Sequence, residues 1–190
     1  MIEKWMHEKL KEDIGEARYR HSVGVMNTSI ELAKRYGYPV EEAALAGFLH
    51  DCGKIQGEIN LLKTADDFDI ILDNVMRNNI QLIHGPLGEQ IAIEEYHITN
   101  RNILDAIRYH TTGRENMTLL EKIVYMADII EPGRSFDGVD KIRQLAYEDL
   151  DHGLLYALDR TIIFVVQRGL LVHLDTIKAR NQLIILKGLE

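Results

Sequence analysis

Eight histidines stand at positions 7, 21, 50, 84, 97, 110, 152 and 173 of the chain. Four of them, His21, His50, His84 and His110, fall where predicted elements meet or beside other coordinating groups. His50 is followed at once by Asp51, and the apolar run Ile123-Val124-Tyr125-Met126-Ala127 delivers Asp128. One histidine alone is more often a core or surface residue than a ligand, although neutral imidazole is a common metal ligand. The set is more specific than its members. Four imidazoles and two carboxylates, without thiolate, suit iron, manganese, zinc or other divalent ions. Six ligands exceed the three of a mononuclear catalytic zinc site, and they suffice for two adjacent metals if Asp51 bridges them. Asp128 argues the same way. A carboxylate buried in an apolar helix is costly without a positive partner, and a metal would be that partner. The alternative is a helix turned so that Asp128 reaches solvent.

The other reactive side chains carry less. Cys52 is the single cysteine and cannot form an internal disulfide, so the fold does not depend on an oxidising compartment. It has no catalytic partner in the sequence and reads as a small buried apolar residue. His7, His97 and His152 read as structural or solvent-exposed. The acidic stretch Asp66-Asp67-Phe68-Asp69 reads as a helix start, because no Gly-containing loop of alternating ligands follows to make a calcium site.

Helices must position these groups. Tyr19, Val23, Met26 and Ile30 recur at helical spacing, predicting a helix from about 16 to 36 that ends at Gly37. Pro39 suits the first turn of the next, with Glu41 and Glu42 near its positive end; that helix runs into His50-Asp51. A helix starting at Thr64 continues through Phe68, Ile71, Leu72 and Val75. Others are predicted from Pro86 to Tyr96 and from about Asn102 to Tyr109. Thr118 and Glu121 match a capping box, opening a helix that carries Asp128. Val139 to Tyr147, Leu154 to Arg168 and about Leu174 to Ile185 complete the set. No region alternates with period two, so the fold class is all-α. Two longer loops, Gly53 to Lys63 and Gly133 to Gly138, read as site walls.

Composition narrows the function. With 190 residues, the chain is one domain's worth, since domains run ~100–200 residues. Its apolar share of 46% allows a core, and a domain of this size buries roughly 70% of its unfolded surface. The net charge of −8 argues against nonspecific nucleic-acid binding, which needs Lys and Arg to neutralise phosphates. No run reaches the ~18 apolar residues of a membrane span, and the charged N-terminus lacks a signal-peptide pattern. The expectation is a cytoplasmic protein. The apolar C-terminal helices either close the core or form a homodimer face.

The ordered set His21, His50-Asp51 and Asp128 resembles the signature of the HD superfamily of metal-dependent phosphohydrolases. His50-Asp51-Cys52-Gly53-Lys54 is similar to its His-Asp-x-x-Lys element, and His84-Gly85 and His110-Thr111 to the extra histidines of its dinuclear members. Arg18-Tyr19-Arg20-His21-Ser22, His84-Gly85-Pro86, His110-Thr111-Thr112-Gly113, Ala127-Asp128-Ile129-Ile130-Glu131-Pro132-x-Arg134 and Thr176-Ile177-x-Ala179-Arg180-Asn181 resemble one branch, the YqeK type. The likeness runs from about Arg18 to Asn181.

That resemblance implies a single HD-type helical bundle over 1–190. It implies a bacterial symmetrical bis(5′-nucleosyl)-tetraphosphatase that cleaves diadenosine tetraphosphate to two ADP with metal-activated water. His21, His50, Asp51 and Asp128 would be the core ligands, and His84 and His110 would complete a second shell or contact phosphate. The implied cofactor is one or two divalent ions, iron foremost, with manganese, zinc, cobalt, nickel or magnesium as alternatives. Asp51 and Lys54 would be catalytic. Lys54, Thr111 and Arg134 would hold phosphates, alongside the ligands themselves, and His173, within Leu170 to Asp175, would approach the nucleoside. Taken without the motifs, Lys54 is a solvated lysine and Arg134 a loop arginine paired with Glu131. The implied partner is the nucleotide, with neither nucleic acid nor membrane. Two alternatives remain: another HD activity, on nucleoside monophosphates, triphosphates or cyclic nucleotides, and a catalytically silent nucleotide-binding sensor.

Overall fold

Helix α1 (Lys4–Ile14) opens the computed structural model, which describes residues 2–55 and 61–188. Met6, Leu10 and Ile14 recur every four residues along it and are buried. The helices predicted from the sequence begin only at about residue 16; α1 precedes them, and its apolar stripe is narrow. Among the described residues the structure is α-helical, with no strand. Helix α2 (Glu16–Tyr36) ends at Gly37, and α3 (Val40–Leu49) begins one residue after Pro39, with Glu41 and Glu42 in its first turn.

The segment predicted as one helix from Thr64 through Val75 is two short ones, α4 (Leu61–Asp67) and α5 (Asn74–Asn78). The acidic stretch is therefore a helix end, not a start. Asp69 adopts φ 52°, a left-handed conformation that aspartate tolerates better than most residues. The Ile70 N–H then turns back to Ala65 O at 2.8 Å. Ile71, placed on the apolar face by the sequence pattern, is 91% exposed. Asp73 reopens the helical path by accepting from the Met76 N–H. The wall predicted from Gly53 to Lys63 lies partly outside the described residues, at 56–60.

A 3₁₀ turn over Ile80–Ile83 leads into α6 (His84–Glu94), where Pro86 occupies the first turn. Helix α7 (Arg101–Tyr109) follows, then α8 (Leu119–Ile130), whose capping box forms as predicted. Helix α9 (Val139–Glu148) and α10 (Leu150–Gln167) come next; Asp149 caps α10 and starts it four residues before Leu154. The chain closes on α11 (Leu174–Lys187).

The core sits around α8, whose run Ile123 to Ala127 is buried without a break. A helix apolar on all sides belongs inside the bundle, and α2, α3, α7, α9 and α10 pack around it. Ala179 and Leu183 of α11 face the core, while Ile163, Phe164, Val166, Leu170 and Leu171 stay exposed. No described helix is long and apolar enough to cross a membrane.

The close crossing of α2 on α3 sets the separation of His21 from His50. A Cβ added at Gly47 would lie 2.5 Å from Ser29 Oγ and 3.1 Å from Val25 O. Gly47→Ala should therefore force the two helices apart and cost about 1–3 kcal/mol, the usual toll of overpacking. The urea-unfolding midpoint measures this, with exposed Glu41→Ala as a control expected to stay within about 0.5 kcal/mol.

Candidate metal centre

Three histidines stand at helix ends, and the same local device orients each. His50 follows α3, His110 follows α7, and His84 follows the 3₁₀ turn. The last carbonyls of a helix have no partner within it. Each ring turns back to satisfy the carbonyl three residues earlier. His50 Nδ1 lies 2.8 Å from Gly47 O, His110 Nδ1 lies 2.7 Å from Ile107 O, and His84 Nδ1 bonds Gln81 O. A carbonyl only accepts, so each Nδ1 must carry the proton. Each Nε2 is left as a bare lone pair directed away from its own helix end.

Those lone pairs meet at Asp51. His84 and His110 Nε2 are 3.0 Å apart, and each is 3.4 Å from Asp51 Oδ1. His50 Nε2 lies 3.6 Å from Asp51 Oδ2 and 3.8 Å from Asp128 Oδ1, and His21 Nε2 lies 2.9 Å from Asp128 Oδ1. Atoms each bound about 2.0–2.2 Å from one ion sit about 2.8–3.6 Å apart. The trio Asp51, His84 and His110 has that spacing. His21, His50 and Asp51 also bring one atom each within 4.8 Å of one another, as do His50, His110 and Asp128. Buried His50 Nε2 has no hydrogen-bond partner, and Asp51 Oδ1 has none of sound geometry although Lys54 Nζ is 3.0 Å away. Orphaned buried acceptors of this kind call for a cation. The residues fit a divalent metal, or two that share Asp51.

Protonation agrees with that role. Burial pushes His50 down to about 4, and burial together with neighbouring His110 pushes His84 down to about 3. Both imidazoles are neutral near pH 7, as metal ligation requires. Burial by itself would raise the Asp51 and Asp128 carboxyls. The imidazoles around them, with Lys54 beside Asp51 and Arg134 beside Asp128, outweigh it and hold both below the usual carboxylate range.

The structure brings His21, His50, Asp51, His84, His110 and Asp128 together as predicted. Asp128 does not turn to solvent; its side chain is 16% exposed and faces His21. Lys54 donates to Asp51 Oδ2 at 3.1 Å and is not free in solvent. Arg134 pairs with Asp128, also donates from Nε to Asp128 O at 2.8 Å, and stands 3.3 Å from His21 Nε2. Its predicted partner without the motif, Glu131, is engaged elsewhere. Thr111 and His173 line a separate cavity of about 170 Å³ with Asp73, Tyr109 and Asp175. His173 caps α11 by accepting from the Asp175 N–H at Nδ1, and its Nε2 stands 2.8 Å from Asp73 Oδ2. Its ring thus ties α11 to the turn before α5.

The remaining reactive groups are structural. Cys52 is buried, donates to Gly88 O at 3.2 Å, and burial pushes its thiol far up. His7 bonds Tyr19 Oη at 3.0 Å, while His97 and His152 are exposed. The turn after α3 meets α6 without spare room: a Cβ at Gly53 would lie 2.2 Å from His84 O. That contact keeps His84 beside His50-Asp51.

Sequence reasoning missed one residue. Glu131 is buried; its Oε1 lies 3.0 Å from His21 Nδ1, and its Oε2 accepts from the Gly133 N–H at 2.6 Å. It thereby holds the ring with Nε2 toward Asp128. The signal was its spacing, because residues three apart share a helix face and Asp128 already faced α2.

Comparison with known proteins agrees with this geometry. The HD domain family matches residues 18–133. A Bacillus subtilis protein named bis(5′-nucleosyl)-tetraphosphatase, symmetrical, is 40% identical over 92% of this chain and 94% of its own length. One of the same name from Halalkalibacterium halodurans is 39% identical over 93% and 94%. A crystal structure from Clostridium acetobutylicum, of a predicted HD superfamily hydrolase involved in NAD metabolism, superposes with a TM-score of 0.89. It is 44% identical and covers 94% of both chains.

Removing the Glu131 carboxylate should loosen His21. Partners that orient a ligating histidine are worth about 10–100-fold in metal affinity. Glu131→Ala should therefore weaken metal binding by about that factor, and Glu131→Gln, which keeps an acceptor for Nδ1–H, by less. Titration of the apoprotein with Fe²⁺ or Mn²⁺, followed by metal content per chain, measures both.

Proposed function

The chain belongs to the HD-domain family, and from that membership we propose that it is a symmetrical bis(5′-nucleosyl)-tetraphosphatase. In this reading the whole chain, 1–190, acts as one metal-dependent hydrolase that splits diadenosine tetraphosphate into two ADP. The observation that carries the reading is the pair of ligand trios sharing Asp51. It occurs in a chain 40% identical, over nearly its full length, to a tetraphosphatase. The nitrogen/oxygen ligand set and its two carboxylates suit iron as the occupant, one or two ions. When bound, such ions lower the pKa of water and polarise phosphate oxygens.

The chain's own residues do the rest. Water adds across the central anhydride bridge: its oxygen joins one inner phosphorus, and the bridge oxygen leaves on the other ADP. His50, His84 and His110 are held rigidly by their backbone carbonyls, so the ligand cage needs no reorganisation on binding. Asp51 sits between the two trios, and Lys54, bonded to it, presents a point charge toward the phosphates. Arg134 offers a planar fork, a different task, and is anchored by Asp128. Thr111, beside His110, offers a hydroxyl to the same polyphosphate. The chain's −8 charge repels the substrate at long range, so attraction has to be local. We take the protein to be a cytoplasmic bacterial enzyme acting on a free nucleotide, with neither nucleic acid nor membrane as partner.

Purified protein should carry metal by elemental analysis and turn diadenosine tetraphosphate into ADP as the sole nucleotide product. Equal AMP and ATP would overturn symmetrical cleavage. Faster turnover of nucleoside monophosphates, triphosphates or cyclic nucleotides in a side-by-side panel would assign another HD activity, and binding without turnover a sensor. Asp51→Asn should lower kcat/KM by more than about 100-fold, since even outer partners of a metal ligand are worth about 10–100-fold. Chelation should weaken ADP binding as well as abolish turnover; equilibrium dialysis reads the first separately.

A further inference from the structure

A cavity beside the metal centre is mostly apolar and has no part in holding metal. It measures about 390 Å³ and is lined by Ile129, Arg134, Phe136, Ile142, Thr161 and Phe164, with Arg160 at its edge. Arg134 belongs to both places, because the same guanidinium pairs with Asp128 and stands 3.3 Å from His21 Nε2. The cavity therefore begins where a polyphosphate held by Arg134 would end. Its aromatic rings are half-exposed, Phe136 at 45% and Phe164 at 53%, although both are large apolar groups. Each is held in place. The Arg168 guanidinium lies 4.5 Å over the Phe164 ring. Arg160 Nη2 donates to Asp137 O at 2.7 Å and so ties the loop carrying Phe136 to α10.

This is a stacking platform with cations at its edge, and it adjoins the site of a polyanion. Purine bases stack on aromatic faces, and arginine adds cation–π attraction. From this geometry we infer that the cavity is the subsite for one purine nucleoside of the dinucleotide, with Phe164 and Phe136 as the stacking groups. The inference rests on the tetraphosphatase reading. A symmetrical dinucleotide has a second nucleoside beyond the other end of its phosphates. The cavity of Thr111 and His173 suits it, because Thr111 follows His110, which groups with Asp51 and His84. One nucleoside then leaves the cluster past Arg134 and the other past Thr111, which leaves the central bridge near Asp51.

Phe164→Ala and Phe136→Ala test the assignment. Loss of a base–aromatic stack, worth about 1–3 kcal/mol, should raise KM for diadenosine tetraphosphate about tenfold. Here kcat should stay within about twofold, metal content unchanged, and Phe164→Tyr should restore KM. Both rings are half-exposed, and an unchanged thermal midpoint checks that the variants fold. An unchanged KM in both alanine variants, with wild type producing ADP, would overturn the subsite and leave the function standing. A change of oligomeric state in Phe164→Ala, read by light scattering, would show a contact between copies of the chain and also overturn it. If wild type produced no ADP, the function would fail instead. The subsite would then be judged by equilibrium dialysis with ADP, where binding unchanged in Phe164→Ala rejects it and weakened binding supports it.

Discussion

Four imidazoles and two carboxylates converge in a space a few ångströms across, and the rest of the structure depends on keeping them there. His84 and His110 present Nε2 to one another at 3.0 Å, an approach that is repulsive between neutral acceptors. The bundle imposes it through contacts that have no chemistry of their own. The tight turn at Gly53 presses α6 against the end of α3, and the α2–α3 crossing at Gly47 sets the distance from His21. A packed interior does not deform continuously, so the free energy of the core is what holds these groups together. A divalent cation held there would relieve the conflict.

The ends of helices carry most of the site. His50, His84 and His110 each satisfy an orphan carbonyl with Nδ1, which settles the tautomer and aims the other nitrogen in one step. His21 lacks that device because it lies inside α2. A side chain replaces the carbonyl: Glu131, from just beyond α8, takes the Nδ1 position. The two solutions differ in consequence. A backbone carbonyl cannot be removed by substitution, whereas Glu131 can, so the His21 side of the cluster is the more open to change by mutation.

Much of the site was legible from residue types in order, because ligands and charged groups are chemically distinctive. The capping box at Thr118 and Glu121 and the helix that ends in His50-Asp51 were legible for the same reason: local hydrogen bonding decides them. The segment from Thr64 to Val75 was not. Its apolar spacing suggested one helix, but Asp69 in a left-handed conformation breaks it, and Asp73 gains a hydrogen bond by starting another. Periodicity reports which residues want burial, not whether the chain between them stays helical. For Arg134, the reading that ignored the motif, a pair with its near neighbour Glu131, does not form, because packing commits that carboxylate to His21 and the guanidinium to Asp128.

By itself the sequence determined the all-α class and singled out the six residues that could hold a metal around Asp51, because these follow from side-chain chemistry and local periodicity. Only the tertiary structure decided which atoms face one another. It supplied Glu131 as the partner of His21, tied His173 to the turn before α5, and set an aromatic cavity against Arg134. The physical reason is that a hydrogen bond between residues 110 positions apart, such as His21 to Glu131, has no signature in either residue's neighbourhood. It exists because α2 and α8 bury their apolar faces against each other.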